Sequence, residues 1–171
     1  MIELDHAIKD MWQDIDQSGN IRYCFTCGSC IAACPASNAN PPLLIRSLIR
    51  MAVLGLEDDL LDDDTPWSCV TCSRCEEVCP MDVRPFELCL AIRKWQCQND
   101  PTRIPPATTE VFERGYTQAV ERAGKLRQSV GLTETLATID TRPEMLEGFQ
   151  NMLMLVPVIQ ENDYMYKRTK K

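Results

Sequence analysis

The sequence predicts a mainly α-helical protein built around two cysteine-bearing loops. Three observations predict it. Apolar residues recur at helical spacing in several separate stretches. No stretch alternates apolar and polar residues for long enough to make an extended strand. Two runs, CFTCGSCIAACP from Cys24 to Pro35 and CVTCSRCEEVCP from Cys69 to Pro80, repeat one pattern 45 residues apart.

Residues 1–20 read as an amphipathic helix through Leu4, Ile8, Met11, Trp12 and Ile15, ended by DQSGN. His6, the single histidine, has no assigned role. After the first cysteine run, NPPLLIRSLIRMAVLG reads as a helix opened by Pro41 and Pro42 and closed by Gly55. Its apolar stripe is Leu44, Leu48, Met51 and Ala52. The stretch Glu57 to Asp64, EDDLLDDD, reads as a solvated acidic turn anchored by Leu60 and Leu61. It lacks the glycine and ligand alternation of a calcium loop. Past the second run, VRPFELCLAIRKWQCQ predicts a helix from Pro85 with Phe86, Cys89, Leu90 and Cys97 on one side. NDPTRIPP marks a boundary. Beyond it, TTEVFERGYTQAVERAGKLRQS reads as one helix through Val111, Tyr116, Ala119, Val120, Ala123 and Leu126, and RPEMLEGFQNMLML as another. The expected organisation is an N-terminal helix over 1–20, a cysteine-rich domain over 21–100 and a helical extension over 101–171. Val111, Phe112, Leu146, Phe149 and Leu153 of the extension suit docking on a partner.

The 171 residues include only four Phe, four Tyr and three Trp against ten Cys, so a small core stapled by its cysteines is expected. The acidic N-terminus MIELDHAIKD has no apolar h-region. The longest apolar run, MLMLVPVI, falls far short of the roughly 20 residues that span a bilayer. The expectation is a cytoplasmic chain, in which clustered cysteines read as metal ligands or redox groups and not as disulfides. The formal net charge is −7, and residues 1–100 carry 16 acidic and 8 basic side chains. An acidic surface repels nucleic acid and suits a protein partner with a basic docking face.

Each run is C-x2-C-x2-C-x3-C-P, the spacing that holds a [4Fe–4S] cluster in bacterial ferredoxins. Soft thiolates favour such clusters or zinc. Zinc sites take cysteine pairs with a long spacer, and call for neither the third cysteine at the same step nor the fourth before a proline. In two-cluster ferredoxins the fourth cysteine ligates the other cluster. Applied here, Cys24, Cys27, Cys30 and Cys79 hold one cluster, and Cys69, Cys72, Cys75 and Cys34 hold the second. Gly28, Ser29, Thr71 and Ser73 are small enough for backbone N–H groups to approach the sulfurs and help set the potential. Cys89 and Cys97 are left over and read as small buried apolar residues. Eight residues apart, they are about 12 Å distant along a helix, too far for a disulfide.

The residues around these runs resemble one family. YCFTCGSCIAACP, the arginine-bearing LLIRSLIRMAVLG, DTPWSCVTCSRCEEVCP and RPFELCLAIRK look like the C subunit of heterodisulfide reductase and its bacterial relatives. The resemblance covers about residues 4–110. It implies the α-helical ferredoxin fold and two [4Fe–4S] clusters. It also implies an electron wire between a flavin-containing A subunit, itself an iron–sulfur protein carrying FAD, and a catalytic, cysteine-rich B subunit. The chain has no adjacent cysteine pair and no G-x-G-x-x-G run, so it lacks the usual means to reduce a disulfide or bind a dinucleotide. Three alternatives stand beside it. An iron–sulfur subunit of the succinate or fumarate type adds a C-x4-C-x2-C domain, and the glycolate or glycerol-3-phosphate type adds further cysteine-rich domains; neither is present. A free-standing dicluster ferredoxin does not need a tail of some 70 residues. A cluster-based DNA sensor needs a basic helix.

Overall fold

The computed structural model describes residues 20–117, 120–136 and 138–161. The helix expected over 1–20, with His6, lies outside them except for its last residue. The described residues form α1 (Ser29–Ala33), α2 (Ile45–Leu54), α3 (Glu57–Asp62), α4 (Arg74–Glu77), α5 (Pro85–Asn99), α6 (Pro106–Arg114), α7 (Val120–Ser129), α8 (Pro143–Met154) and α9 (Pro157–Glu161). No strand occurs among them, as the absence of alternation predicts. The chain divides into two compact units, Met1–Asn99 and Asp100–Lys171.

The first unit is built on an internal repeat. A single turn of 3-10 helix, Asn20–Tyr23 or Thr65–Ser68, precedes each first cysteine. Cys24 N–H donates to Ile21 O at 3.3 Å, and Cys69 N–H donates to Pro66 O at 3.1 Å. The cysteine loop follows, then a short helix, α1 or α4, then a longer one, α2 or α5. α1 packs on α4, and α2 packs against α1, α3 and α5.

The core lies between α2, α3 and α5. α2 buries Ile45, Leu48, Ile49 and Ala52, at offsets of three, four and seven, the spacing of one helical face. Leu44 is exposed, so the stripe is turned by one residue from the expected one. α2 also starts three residues beyond the double proline, because Pro42 and the buried Leu43 form an irregular lead-in whose Leu43 N–H donates to Ala36 O at 2.9 Å. Gly55 closes the helix as expected. At φ +69°, its N–H donates to Ala52 O and the Leu56 N–H to Met51 O, a Schellman cap.

The acidic stretch is a helix and not the turn expected, and Leu60 is its fully buried anchor. What holds it is Gln96 of α5. The buried Gln96 side chain donates from Nε2 to Leu60 O and Asp63 O, both at 2.7 Å, and accepts from Trp67 Nε1 at 2.7 Å. A helix end leaves carbonyls without intrahelical partners, and here a distant amide supplies them. α5 begins at Pro85 as expected. Its buried face is Leu88, Cys89, Ile92, Gln96 and Cys97, whereas Leu90 turns outward.

In the second unit the single helix expected over 108–129 is broken. α6 ends at Gly115, which adopts φ +80° and donates to Val111 O at 2.8 Å. Ala119 of the expected stripe lies outside the described residues; α7 is described from Val120, and its Leu126 is 71% exposed. α6 packs against α8. Tyr116 Oη donates to Asp140 Oδ2 at 2.9 Å, and Gln150 Nε2 donates to Phe112 O at 2.9 Å. Leu146, Phe149 and Leu153 of α8 are half-buried, while Met145 and Met152 are exposed. A β-carbon on Gly115 would run into the Ile139 side chain and touch Phe149. Left-handed backbone costs a non-glycine residue about 1–2 kcal/mol, and overpacking about 1–3 kcal/mol more. Gly115→Ala is therefore expected to destabilise this unit by about 3 kcal/mol. A thermal melt should show its transition lowered by roughly 10 °C or more.

Candidate metal centre

The two cysteine loops share one backbone geometry. Thr26 and Gly28 of the first run adopt φ +60° and +87°, and Thr71 and Ser73 of the second adopt φ +56° and +57°. These are the same two positions of C-x2-C-x2-C in each run. Three of the four are not glycine, and each such residue is disfavoured by about 1–2 kcal/mol. Strain held twice at matching positions marks a functional constraint. Alternating left-handed residues are the backbone pattern of the nests that bind anions and iron–sulfur centres. Gly28, Thr71 and Ser73 are among the small residues that the sequence singles out beside the sulfurs, and Thr26 is not.

The helices then place the remaining cysteines. Gly28 O accepts from the Ile31 and Ala32 N–H groups, and Ser73 O from the Glu76 N–H, so Cys30 and Cys75 sit in the first turns of α1 and α4. Cys34 caps α1 with its N–H on Ile31 O at 3.1 Å, and the Cys79 N–H donates to Glu76 O at 3.0 Å.

Cys24, Cys27, Cys30 and Cys79 line one pocket, together with Gly28 and Arg46. Three come from the first run and one from the second. Among the described residues no three His, Cys, Asp or Glu side chains close on a single ion-sized point. The four thiols instead line open space, and four soft sulfurs are the donor set that a [4Fe–4S] cluster requires. The residues present fit such a group. Of the second set, Cys75 is buried, Cys69 and Cys34 are half-buried and Cys72 is exposed. α1 packs on α4, which runs the segment ending in Cys34 beside the one carrying Cys75.

The thiols are unequal. Burial pushes Cys75 up to about 12, with Glu76 and Cys69 adding to it. Burial also raises Cys30, with Cys24 next in effect. Cys27 is lowered, first by the Ser29 hydroxyl 3.4 Å away and to a lesser degree by the Arg46 charge. Metal binding releases the protons these thiols hold.

Cys89 and Cys97 are buried, as expected of the leftover pair. Cys89 is more than filler. Its Sγ lies 3.4 Å from Pro66 O, and burial and the neighbouring Cys69 push its thiol up to about 12. It opens a row on α5, Cys89, Arg93 and Gln96, at offsets of four and seven, that faces the segment before the second loop. Arg93 donates from Nε to Pro66 O at 2.8 Å and from Nη2 to Cys69 O at 2.7 Å. Its guanidinium lies 5.4 Å from the centroid of the Trp67 ring. Nothing in the sequence pattern isolates Arg93 or Gln96. The DTPWSC and RPFELCLAIRK blocks, which meet at this contact, were the signals that the segment matters.

An all-helical frame carrying two such loops defines an iron–sulfur protein of the α-helical ferredoxin class, and residues 20–83 match the 4Fe-4S dicluster domain family. The chain is 33% identical over 154 residues to the C-subunit-like heterodisulfide reductase protein of Archaeoglobus profundus, covering 88% of this chain and 80% of that one. It is 32% identical over 155 residues to the C subunit of the H(2):CoB-CoM heterodisulfide,ferredoxin reductase of Methanothermobacter marburgensis, covering 85% and 80%. To the C subunit of the ferredoxin:CoB-CoM heterodisulfide reductase of Methanosarcina mazei it is 31% identical over 136 residues, covering 76% and 81%. The chain belongs to the family of heterodisulfide reductase C subunits and is an iron–sulfur electron-transfer subunit. No helix of the described residues is long and apolar enough to cross a membrane.

Proposed function

We propose that this chain relays electrons in the cytoplasm between a flavoprotein subunit of the A type and a catalytic thiol/disulfide subunit of the B type, in a heterodisulfide-reductase-like complex. One [4Fe–4S] cluster is held by Cys24, Cys27, Cys30 and Cys79. The second is held by Cys69, Cys72, Cys75 and Cys34. The observation that carries this reading is the pocket in which Cys79 of the second run joins three thiols of the first. When bound, each cluster supplies a one-electron carrier. The protein's own residues do the rest. The left-handed turns at Thr26, Gly28, Thr71 and Ser73 shape the loops, and α1 and α4 fix the third cysteine of each run.

The surface supports a subunit and not a free carrier. Cys27 and Cys72 are the exposed cysteines. Beside them Tyr23, Phe25 and Val70 are each about 60% exposed. Aromatic and apolar side chains at the mouths of the cysteine loops suit a desolvated protein interface. The relatives' names place them as C subunits of heterodisulfide reductases.

Anaerobic affinity purification of the tagged full chain from its own cells tests the proposal. The expected result is co-purification of a flavoprotein and a second cysteine-rich cluster protein. Recovery of the chain alone, loaded with about eight irons, would overturn the subunit reading and leave a diffusible ferredoxin.

A further inference from the structure

Arg93 is half-buried on α5, and its guanidinium is directed at the approach to the second loop. Two of its N–H groups reach the carbonyls of Pro66 and Cys69, the latter belonging to the first cysteine of the second run. A planar fork that engages two carbonyls at once holds the segment in place, and a lysine at the same position would keep the charge and one such contact. The Trp67 ring covers its face, and Trp67 is itself held by Gln96 one turn along the same helix. Among the described residues no carboxylate forms an ion pair with Arg93. Partial burial shields this charge from solvent.

We propose that Arg93 is a positioning residue for the cluster of the second run. It fixes the Cys69 peptide and sets a positive charge beside that cluster, which raises the cluster's reduction potential. The inference rests on the ligand set proposed for that cluster. The chemistry is one electron entering from an external reductant, so that the cluster gains one unit of negative charge and a nearby cation favours the product. Glu76, the residue after Cys75, adds a negative charge that opposes it. The first cluster pocket also has an arginine, Arg46, but that side chain is exposed and its charge is screened.

Arg93→Met and Arg93→Lys test the inference in the full-length, cluster-loaded chain. Iron content is measured first, then an anaerobic redox titration with dithionite followed by electron paramagnetic resonance. The expected result for Arg93→Met is that one of two midpoint potentials moves to a more negative value while the other stays in place. Arg93→Lys, which keeps the charge and loses the fork, should restore most of that shift. If the methionine variant instead loses half its iron, the same lysine variant decides. Retained iron and a near-normal potential support the proposal. Arg93→Lys matching Arg93→Met overturns it, as do two unchanged midpoints or two that move together. A wild-type chain without two titrating clusters would instead refute the ligand reading on which the inference rests.

Discussion

Replacing Cys79 with alanine is expected to remove the cluster of the first run, although Cys79 belongs to the second. Three sulfurs, from Cys24, Cys27 and Cys30, would remain around the pocket, with the fourth position open to solvent. Iron should fall from about eight atoms per chain to about four, as for one lost [4Fe–4S] cluster, and relay through the subunit should stop. The single variant alone does not separate crossed from uncrossed ligation, because either way one cluster goes. The double variant Cys27→Ala/Cys79→Ala does. If the two residues serve the same cluster, the second substitution finds nothing more to remove, and about four irons remain. If each run ligates its own cluster, the double variant loses both and iron falls to nearly none. Cys89→Ser is the matched control. It alters a more deeply buried thiol near the second loop, set against Pro66 O, and should keep its full iron.

The parts of this architecture that could be read in advance are those written as local patterns. The cysteine spacing announces two loops because each ligand's reach is set by the few residues beside it. Gly55 could be read as a stop because a left-handed cap needs no information beyond the helix end. Gly115 has the same conformation, yet the apolar periodicity continues past it, and only packing against Ile139 and Phe149 decides for a break. Leu44 and Leu90 sit at plausible helical offsets but point outward, because burial on α2 and α5 is chosen by what α3 and the Pro66 segment cover. The Cys89, Arg93 and Gln96 row was illegible for another reason. Its targets are backbone carbonyls of Leu60, Asp63, Pro66 and Cys69, and a carbonyl leaves no mark on a sequence. The left-handed threonines were hidden likewise, since threonine advertises strands and turns but not positive φ.

Stripping the clusters by anaerobic chelation is expected to unfold most of the first unit. Six of the eight cysteines are part of its interior. Cys75 belongs to the buried core, and Cys24, Cys30, Cys34, Cys69 and Cys79 pack directly against it. The helices that carry the ligands are too short to persist alone: α1 has five residues and α4 has four, where isolated helices below about 12–15 residues are marginal in water. A domain of this size is stable by about 5–15 kcal/mol. Structural zinc in finger peptides is worth about 10–16 kcal/mol, and a loss of that order exceeds what the aliphatic core can retain. The strained threonines and Ser73 add to the imbalance, because nothing then offsets their left-handed backbone. Far-ultraviolet circular dichroism should show a large loss of helical signal, with the remaining cooperative transition belonging to the second unit. That assignment can be checked, because the surviving transition should be the one that Gly115→Ala lowers. A metal-free chain that kept its full helical signal and both transitions would show that Leu48, Leu60, Leu88, Ile92 and their neighbours hold the fold without the clusters. The eight cysteines would then be ligands placed on a finished scaffold, and not the means by which the scaffold closes.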